Sequence, residues 1–545
     1  MRPSPTLVRA IAVASAAFLT ACAGRDVTAP DLTASDGVHR LSPSHAPSRQ
    51  YTADGVPIIR IGVVPSASAI TLGSAVDYEV KDKASGLVLF SGHGGSVSVT
   101  LLEHPESKYR LQVVCGSAGA VQALQDAAEA QGVVTYTEYV PAAHCTRVFL
   151  GEFPSTASFS VRNAFRNQMI AAHLAGTDSF WKTVAPLGPT VYGVSRGGAS
   201  TQSLSPVTVT SSDGVVMING TKYRGLGEAR VNSQSTLAGI NELPLEQYLY
   251  GVVPRELGPV QYPEVEAQKA QAIVARTYAI AGLGKRASDG YDLLATTSDQ
   301  VYGGYAAEHP VSNQAVDDTR GRVVKYQGNL ISTLYSSTSG GHTADNEEAF
   351  NGTPLPYLRG VPDAERGNAF EHVPNLVVFM SHANPKSLRA ATEGAFESDW
   401  ASFHRWTFEW SAEEISSVVS AFAGQPVGKV LAINDVERGP SGRVLRLEFV
   451  TEAGTFAATK DGIRAALRYY NASHALANLP STLFFIEPVL DRRTKEVTGF
   501  IVNGGGFGHG VGLSQTGAVG MAQKGHSVDE ILEHYYQGTE VATQY

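Results

Sequence analysis

Cysteine is scarce in this chain. Only Cys22, Cys115 and Cys145 occur in 545 residues, and the last two alone cannot complete a tetrahedral zinc site. Clustered positive charge is missing too. The net charge is −9 and no block of Lys and Arg appears, which argues against nucleic acid or any partner held mainly through phosphates. Beyond the N-terminal segment, no run is long and apolar enough to cross a bilayer. No internal repeat is evident. Glycine is plentiful, at 55 residues. Yet the glycines from Gly504 to Gly520 complete no G-x-G-x-x-G register, and no G-K-[ST] follows, which argues against a nucleotide site.

What is present describes an exported, strand-containing chain. The composition is 43% hydrophobic and 17% charged, ordinary for a globular protein, and the length allows two or three domains. Met1 to Ala21 carry Arg2 and Arg9 ahead of the apolar run Ala10 to Leu19. That run has the shape of a secretory signal. It ends Leu19-Thr20-Ala21-Cys22, which resembles a bacterial lipobox with Cys22 as the lipidated residue. The alternative is an ordinary signal peptide cleaved near Ala23. Acylation would anchor the chain to a membrane through its N-terminal lipid. Residues 23–55, rich in Ser, Ala, Pro, Thr and Asp, read as a flexible tether. In an oxidising compartment Cys115 and Cys145 are expected to form a disulfide, the alternative being two buried thiols. Closing a loop of about 30 residues would stabilise by roughly 3–4 kcal/mol in the chain-entropy model.

Periodicity divides the rest. Val56 to Leu102 alternates as short strands with Gly and Ser turns. From Tyr109 the order is strand, Ala-rich helix (118–131, closed by Gly132), two strands, then a helix from Ser158 to Leu174. Strands resume at Val191, with an Asn219-Gly220 hairpin signal. The β-α-β-β-α order, the opening Y-R-L-Q-V (109–113) and the later R-V-F-L-G-E-F (147–153) resemble a SPOR domain. That resemblance implies a small ferredoxin-like unit binding glycan strands stripped of stem peptides. The alternative is some other small α+β insertion.

Three stretches carry candidate chemistry. In the first, V-V-P-R-E-L (252–257) precedes P-E-V-E-A-Q-K-A-Q-A-I-V-A-R-T-Y-A (263–279). The second part predicts a helix starting near Pro263, with small residues packed along one face and Glu266 paired with Lys269 along the surface. Glu256 falls in the loop before it, on a segment stiffened by Pro254 and Pro259. A loop glutamate there is either solvated or a working acid. The second stretch, I331 to F350, feeds a β-type run into Ser339-Gly340-Gly341-His342. Five hydroxyl residues lie between Ser336 and Thr343, a plausible lining for a sugar site. S-x-S-G-G is not a nucleophile elbow. The third, N503 to G525, is dense in glycine, which suits backbone passing close to a ligand or to another chain segment. Ser514 can cap a helix ending near Gly525, and Ser527 with Glu530 makes a capping box.

These stretches, with S-G-G-H-T-A-D-N-E-E-A-F (339–350), G-F-G-H-G-V-G-L-S-Q-T-G-A-V-G-M-A (506–522) and the closing Y-Y-Q-G-T-E (535–540), resemble the SpoIID/LytB family. The resemblance implies an α+β fold: a mixed, strand-rich SpoIID-type domain with packed helices, formed by 56–104 and 186–545. The SPOR-like unit (105–185) is then inserted within it, behind the signal (1–22) and tether. It implies peptidoglycan as substrate. SpoIID-type members are lytic transglycosylases that cut between N-acetylmuramic acid and N-acetylglucosamine in peptide-free strands, and the glutamate of their P-x-E-[ML] motif matches Glu256. LytB-type members are enhancers of a cell-wall amidase, an N-acetylmuramoyl-L-alanine amidase being the implied partner. Ser337, Ser339, Gly340, Gly341, His342, His509 and Gln515 are candidate substrate binders by motif match. Arg276 joins them as a candidate, with bracing of the Glu256 loop as its other role. His342 and His509 read equally well as hydrogen-bonded structural histidines.

Two departures from the family stand out. Some members bind zinc through a Cys/His run before Q-V-Y, whereas this chain reads L-L-A-T-T-S-D-Q-V-Y (293–302). No metal and no cofactor is expected. Phe507 stands where many members have tryptophan. Three readings remain open: a lytic transglycosylase, a lipid-anchored glycan binder that activates an amidase, or a plain hydrolase with Asp345, Glu347 or Glu348 as second carboxylate. All place the chain in the cell envelope, at the periplasmic face of a membrane.

Overall fold

The computed structural model describes residues 50–545, apart from 106–107, 141–143, 155–156, 185–188, 366–394, 398–399 and 472. The signal segment, Cys22 and residues 23–49 of the tether lie outside the described residues. Residues 50–55, assigned to the tether by composition, instead form a turn. Thr52 Oγ1 accepts from the Val56 amide at 2.9 Å, and Asp54 pairs with Arg320. Short polar side chains close such turns on their own backbone.

The fold is mixed α+β, built first on three long strands, β1 (Ile58–Ala67), β2 (Ala69–Asp82) and β3 (Val88–Glu103). The chain then forms a separate unit: β4 (Lys108–Gly116), α1 (Ala118–Glu129), β5 (Thr135–Val140), β6 (Cys145–Pro154), α2 (Phe159–Ala171) and β7 (Phe180–Val184). Its antiparallel strands run in the order β5–β6–β4–β7, a ferredoxin-like arrangement. The five residues of β7 are too few to show periodicity, and the strand went unread in the sequence. Leu111, Ala128, Leu150, Met169 and Leu174 fill the unit's small core. Cys115 and Cys145 are bonded to each other, with Cα atoms 5.5 Å apart.

The chain returns to the first sheet with β8 (Val191–Arg196), β9 (Ala199–Ser203), β10 (Val207–Ser211), β11 (Val215–Ile218), β12 (Thr221–Arg224), β13 (Leu226–Val231) and β14 (Leu237–Pro244). β3 pairs with β8 and β1 with β14, so the segments before and after the inserted unit are one sheet. Asn219 and Gly220 form the two-residue turn between β11 and β12 with φ of 47° and 80°, as a type I′ hairpin requires.

Two helices leave this sheet for the site. α3 (Leu245–Glu256) follows β14 directly, and α4 (Val265–Ala281) runs beside it. α4 begins at Val265, two residues after Pro263, and its burial exceeds the one face predicted. Ala272, Ala275, Ala279 and Ile280 face the core beneath the first sheet. Ala267, Ala270, Ile273 and Val274 pack in a second core with the C-terminal helices Gln515–Gln523 and Val528–Tyr535. A helix clothed on both sides is a core element, and its alanines let both layers approach closely. Glu266 and Lys269 do pair, at 2.9 Å.

One module escaped the sequence reading entirely. Within the segment read as 186–545, strands Trp406–Ser411, Val497–Gly504 and Phe484–Leu490 form one sheet. Val430–Arg438, Val444–Thr451 and Gly454–Thr459 form another. Their own core includes Trp410, Phe449, Phe484 and Phe500. The module follows the second candidate stretch in sequence, and its last strand runs into the start of the third.

Arg276 corrects its assignment as a substrate binder. It is fully buried and bidentate to Glu246 at 2.9 and 2.7 Å, tying α4 to the first turn of α3. Its remaining N–H groups reach the carbonyls of Val316 and Arg322. Removing one member of a buried pair strands the other charge. Arg276→Ala is therefore expected to cost about 3 kcal/mol in urea unfolding. Adding Glu246→Gln should recover part of that loss, and a near-neutral single variant would count against the brace.

Candidate functional site

Glu256 is not in a loop. It is the last residue of α3. Pro254 in the final turn lacks the N–H that continues a helix, and Pro259 disfavours helical backbone at Gly258, so α3 stops there. The placement presents the carboxyl at a helix C-terminus, half-buried.

Its surroundings come from three distant segments. The Val301 amide donates to Glu256 Oε1 at 2.6 Å, and the Tyr335 hydroxyl also hydrogen-bonds the carboxylate. Gln300 Nε2 donates to Tyr335 Oη at 3.3 Å, while its Oε1 accepts from Tyr248 at 3.3 Å. Burial pushes the Glu256 carboxyl above the usual range, and the bonds from Val301 and Tyr335 pull back less strongly. The negative end of α3 acts in the same direction as burial. Burial also raises Tyr335 and Tyr248 well above the usual phenol value, so both remain donors. The result is a solvent-reachable acid that keeps its proton beyond the normal pH for glutamate.

The segment that supplies Val301 is the one lacking the Cys/His run. Asp299 anchors it instead. Its buried carboxylate accepts from Lys285 at 2.6 Å, Arg286 at 3.1 Å and the Leu294 amide at 2.9 Å. Among the described residues, no cluster of three or more His, Cys, Asp or Glu side chains could hold a metal ion.

The second and third stretches meet directly. Tyr335-Ser336 pairs in parallel with Leu513-Ser514, and Thr338 exchanges backbone hydrogen bonds with Phe507 at 3.1 and 2.8 Å. Gly340 shows why glycine is needed. Its φ is +81°, and a Cβ there would lie 2.8 Å from the Gly505 carbonyl carbon and the Gly506 nitrogen. The dense glycines thus serve the approach of one chain segment to another.

This packing commits most of the expected binders to internal partners. Gln515 Nε2 donates to the Glu256 carbonyl at 3.0 Å and to Gln271 Oε1 at 3.1 Å, so it fixes the backbone of the acid. Ser339 is fully buried, its Oγ 2.6 Å from Asp363 and 3.1 Å from Glu397. The Gly340 amide donates to Glu397 and the Gly341 amide to Ser339 Oγ. His342 Nδ1 donates to the Thr343 carbonyl at 2.6 Å, and burial lowers its pKa to about 4. Burial lowers His509 to about 4 as well. Its Nδ1 accepts from the Val511 amide, and its ring lies 5.1 Å from that of Phe350. Both histidines are therefore neutral near pH 7, each with an internal hydrogen-bond partner. Ser337, like His509, remains half-exposed, with its carbonyl held by the Thr516 amide.

The three acidic residues considered as a second carboxylate are likewise engaged. Asp345 and Glu347 pair with Arg359, and Glu348 accepts from Ser441 Oγ at 2.5 Å. Asp363 and Glu397 were missed. They are fully buried, outside the recognisable stretches, and no periodicity marks them. Burial and the adjacent Glu397 raise Asp363. Burial would raise Glu397 too, but hydrogen bonds from His404, Thr516 and Gly340 hold it low. The two share one proton-rich network beneath the turn. The second module clamps that turn from above. Arg443 donates to the Ser339 and His342 carbonyls at 2.8 and 3.0 Å, and Arg405 to the Gly340 carbonyl at 2.8 Å.

Residues 233–326, which hold α3, α4 and Val301, match the family model described as Stage II sporulation protein. Residues 344–512 match one described as a domain of unknown function. An uncharacterized protein of Brachyspira hyodysenteriae is 30% identical over 336 residues, covering 62% of this chain and 76% of its own length. The amidase enhancer of Bacillus subtilis is 30% identical over 316 residues, 54% of this chain but only 40% of that protein. The stage II sporulation protein D of Bacillus amyloliquefaciens is 28% identical over 320 residues, 56% and 75% of the two chains.

A raised Glu256 has a thermodynamic signature. The folded chain holds a proton that the unfolded chain has released, so stability falls as pH rises above the ordinary glutamate value. Glu256→Gln removes that slope. Melting temperatures of variant and parent should coincide near about pH 4 and diverge towards about pH 8, the variant being more stable. A gap independent of pH, or of opposite sign, would contradict the raised pKa.

Proposed function

The chain belongs to the SpoIID/LytB family, and on that premise we propose that it is a peptidoglycan lytic transglycosylase acting on peptide-free glycan strands. The observation that carries this reading is Glu256 itself, half-exposed, raised by burial, and held by Val301 and Tyr335. A hydrolytic glycosidase generally needs a second carboxylate to activate water. A lytic transglycosylase works with one, because the C6 hydroxyl of N-acetylmuramic acid is an internal nucleophile.

In the proposed sequence, protonated Glu256 donates to the glycosidic oxygen as the C1–O bond breaks. The sugar with the freed 4-hydroxyl leaves. Glu256, now a carboxylate, accepts the proton of the C6 hydroxyl as O6 bonds to C1, and the product ends in 1,6-anhydro-N-acetylmuramic acid. The acid is thereby regenerated. Tyr335 steadies the carboxylate form between the two steps, and Ser337, half-exposed and with its hydroxyl bonded to that of the neighbouring Thr338 at 3.3 Å, is the hydroxyl of the turn offered to sugar. The ferredoxin-like unit fits a SPOR-like role in holding the same strands, and Cys22 fits lipid attachment within the envelope.

The likeness to an amidase enhancer favours a second reading, in which the chain binds glycan and activates an N-acetylmuramoyl-L-alanine amidase without cutting. Mass spectrometry of peptide-free strands incubated with the protein and with Glu256→Gln separates the readings. Anhydro-muramic ends made by the parent alone are expected. Reducing ends would indicate a hydrolase instead. Binding by both proteins with no cutting by either would transfer the case to the enhancer.

A further inference from the structure

Two exposed aromatic pairs stand on segments that lead to Glu256, and nothing in the proposed chemistry uses them. Phe507 is 38% exposed and stacks on Phe403, with centroids 4.5 Å apart and planes 16° apart. Its backbone is bonded both ways to Thr338, three residues from the Tyr335 that touches the acid. Trp400 is 37% exposed and lies against Tyr262, with centroids 5.6 Å apart. Tyr262 ends the turn that leaves α3: its amide donates to the Gly258 carbonyl at 2.9 Å. Gln268 Nε2 holds the carbonyls of both Leu257 and Tyr262. One pair is therefore tied to the hydroxyl turn, the other to the turn that follows Glu256.

Trp400 and Phe403 come from one short segment at the edge of the second module. Three residues apart, their Cα atoms are within about 10 Å of each other, a span comparable with a disaccharide. Each exposed ring is backed by another, so it is held in place before any ligand arrives, which lowers the ordering cost of binding. The negative face of an aromatic ring attracts the polarised C–H groups on the flat side of a pyranose, while its area removes that side from water.

We propose that Phe507 and Trp400, backed by Phe403 and Tyr262, form an aromatic rail on which successive sugar rings stack, positioning the strand across Glu256. The ligand class is a chain of linked pyranose rings. The rail rests on the glycan reading above and gives the second module a share in the substrate site. Phe507 and Trp400 are positioning residues, since neither reaches the reacting bond.

The test uses the full chain carrying Glu256→Gln, so that bound strands stay intact, and follows tryptophan emission as peptide-free glycan strands are added. Binding should change the emission. Adding Trp400→Phe should abolish most of that change while keeping affinity within about twofold. Phe507→Ala should weaken binding about tenfold, and Phe507→Trp should restore it. A merely structural role would not give that rescue, and melting temperatures check that each variant is folded. If the parent binds and the emission change survives Trp400→Phe, or Phe507→Ala binds as the parent does, the rail is wrong while the glycan reading stands. If the parent does not bind the strands, both fail. If the unmutated chain cuts nothing yet Phe507→Ala loses affinity, the rail stands and the cleavage reading alone falls.

Discussion

Gly340 and Gly506 meet backbone to backbone, with no room for a side chain on either. A Cβ at Gly340 would strike Gly506, and one at Gly506 would lie 2.9 Å from the Ser339 carbonyl. This approach fixes the register of two segments far apart in sequence. Tyr335 is set beside Leu513, Thr338 beside Phe507, and Gln515 is carried to the carbonyl of Glu256. Beneath the contact lie Asp363 and Glu397, and above it lie Arg405 and Arg443. The acid, the hydroxyl turn and the aromatic pairs all take their positions from it.

The chain treats its buried carboxyls in two ways. Glu397 is sealed from water and held low by its many donors, so its charge is spent on ordering the turn, whereas Asp363 beside it is raised by burial and by Glu397. Glu256 accepts fewer bonds than Glu397 and keeps one side open. Its two recorded donors, Val301 and Tyr335, are too few to offset burial. A group so placed is less stable when ionised than a free glutamate, and that imbalance suits it to give up and retake a proton. The contrast between Glu397 and Glu256 follows the number of donors more than depth.

Much of the architecture was legible because it is local. Alternation pointed to β1 to β3, strands were expected to resume at Val191, Asn219-Gly220 fixed a hairpin, and Ser514 and Ser527 capped the helices expected of them. Glu256 was singled out by its motif, although the helix end that bears it was read as loop, because Pro254 suggests an earlier stop. What stayed hidden is long-range. The fate of Ser339, His342 and Gln515 depends on partners such as Asp363, Glu397 and Gln271, and no spacing announces such pairings. A hydroxyl-rich, glycine-rich stretch looks alike whether it lines a ligand site or another strand. The second module was missed because its strands resemble those around it, and only their separate core sets them apart.

The bond from Gln515 to the Glu256 carbonyl spans 259 residues of chain, and the helices Gln515–Gln523 and Val528–Tyr535 that complete the second core are synthesised long after α3. Contacts of such sequence separation close late, since the entropy of the intervening loop opposes them until other parts have folded. One inserted unit that can gather its own core lies along the way. α3 thus ends on a residue whose carboxyl is met from 45 residues away and whose backbone is held from 259 residues away. A chain cut short before the third glycine-rich stretch would keep the acid but lose the anchor of its main chain.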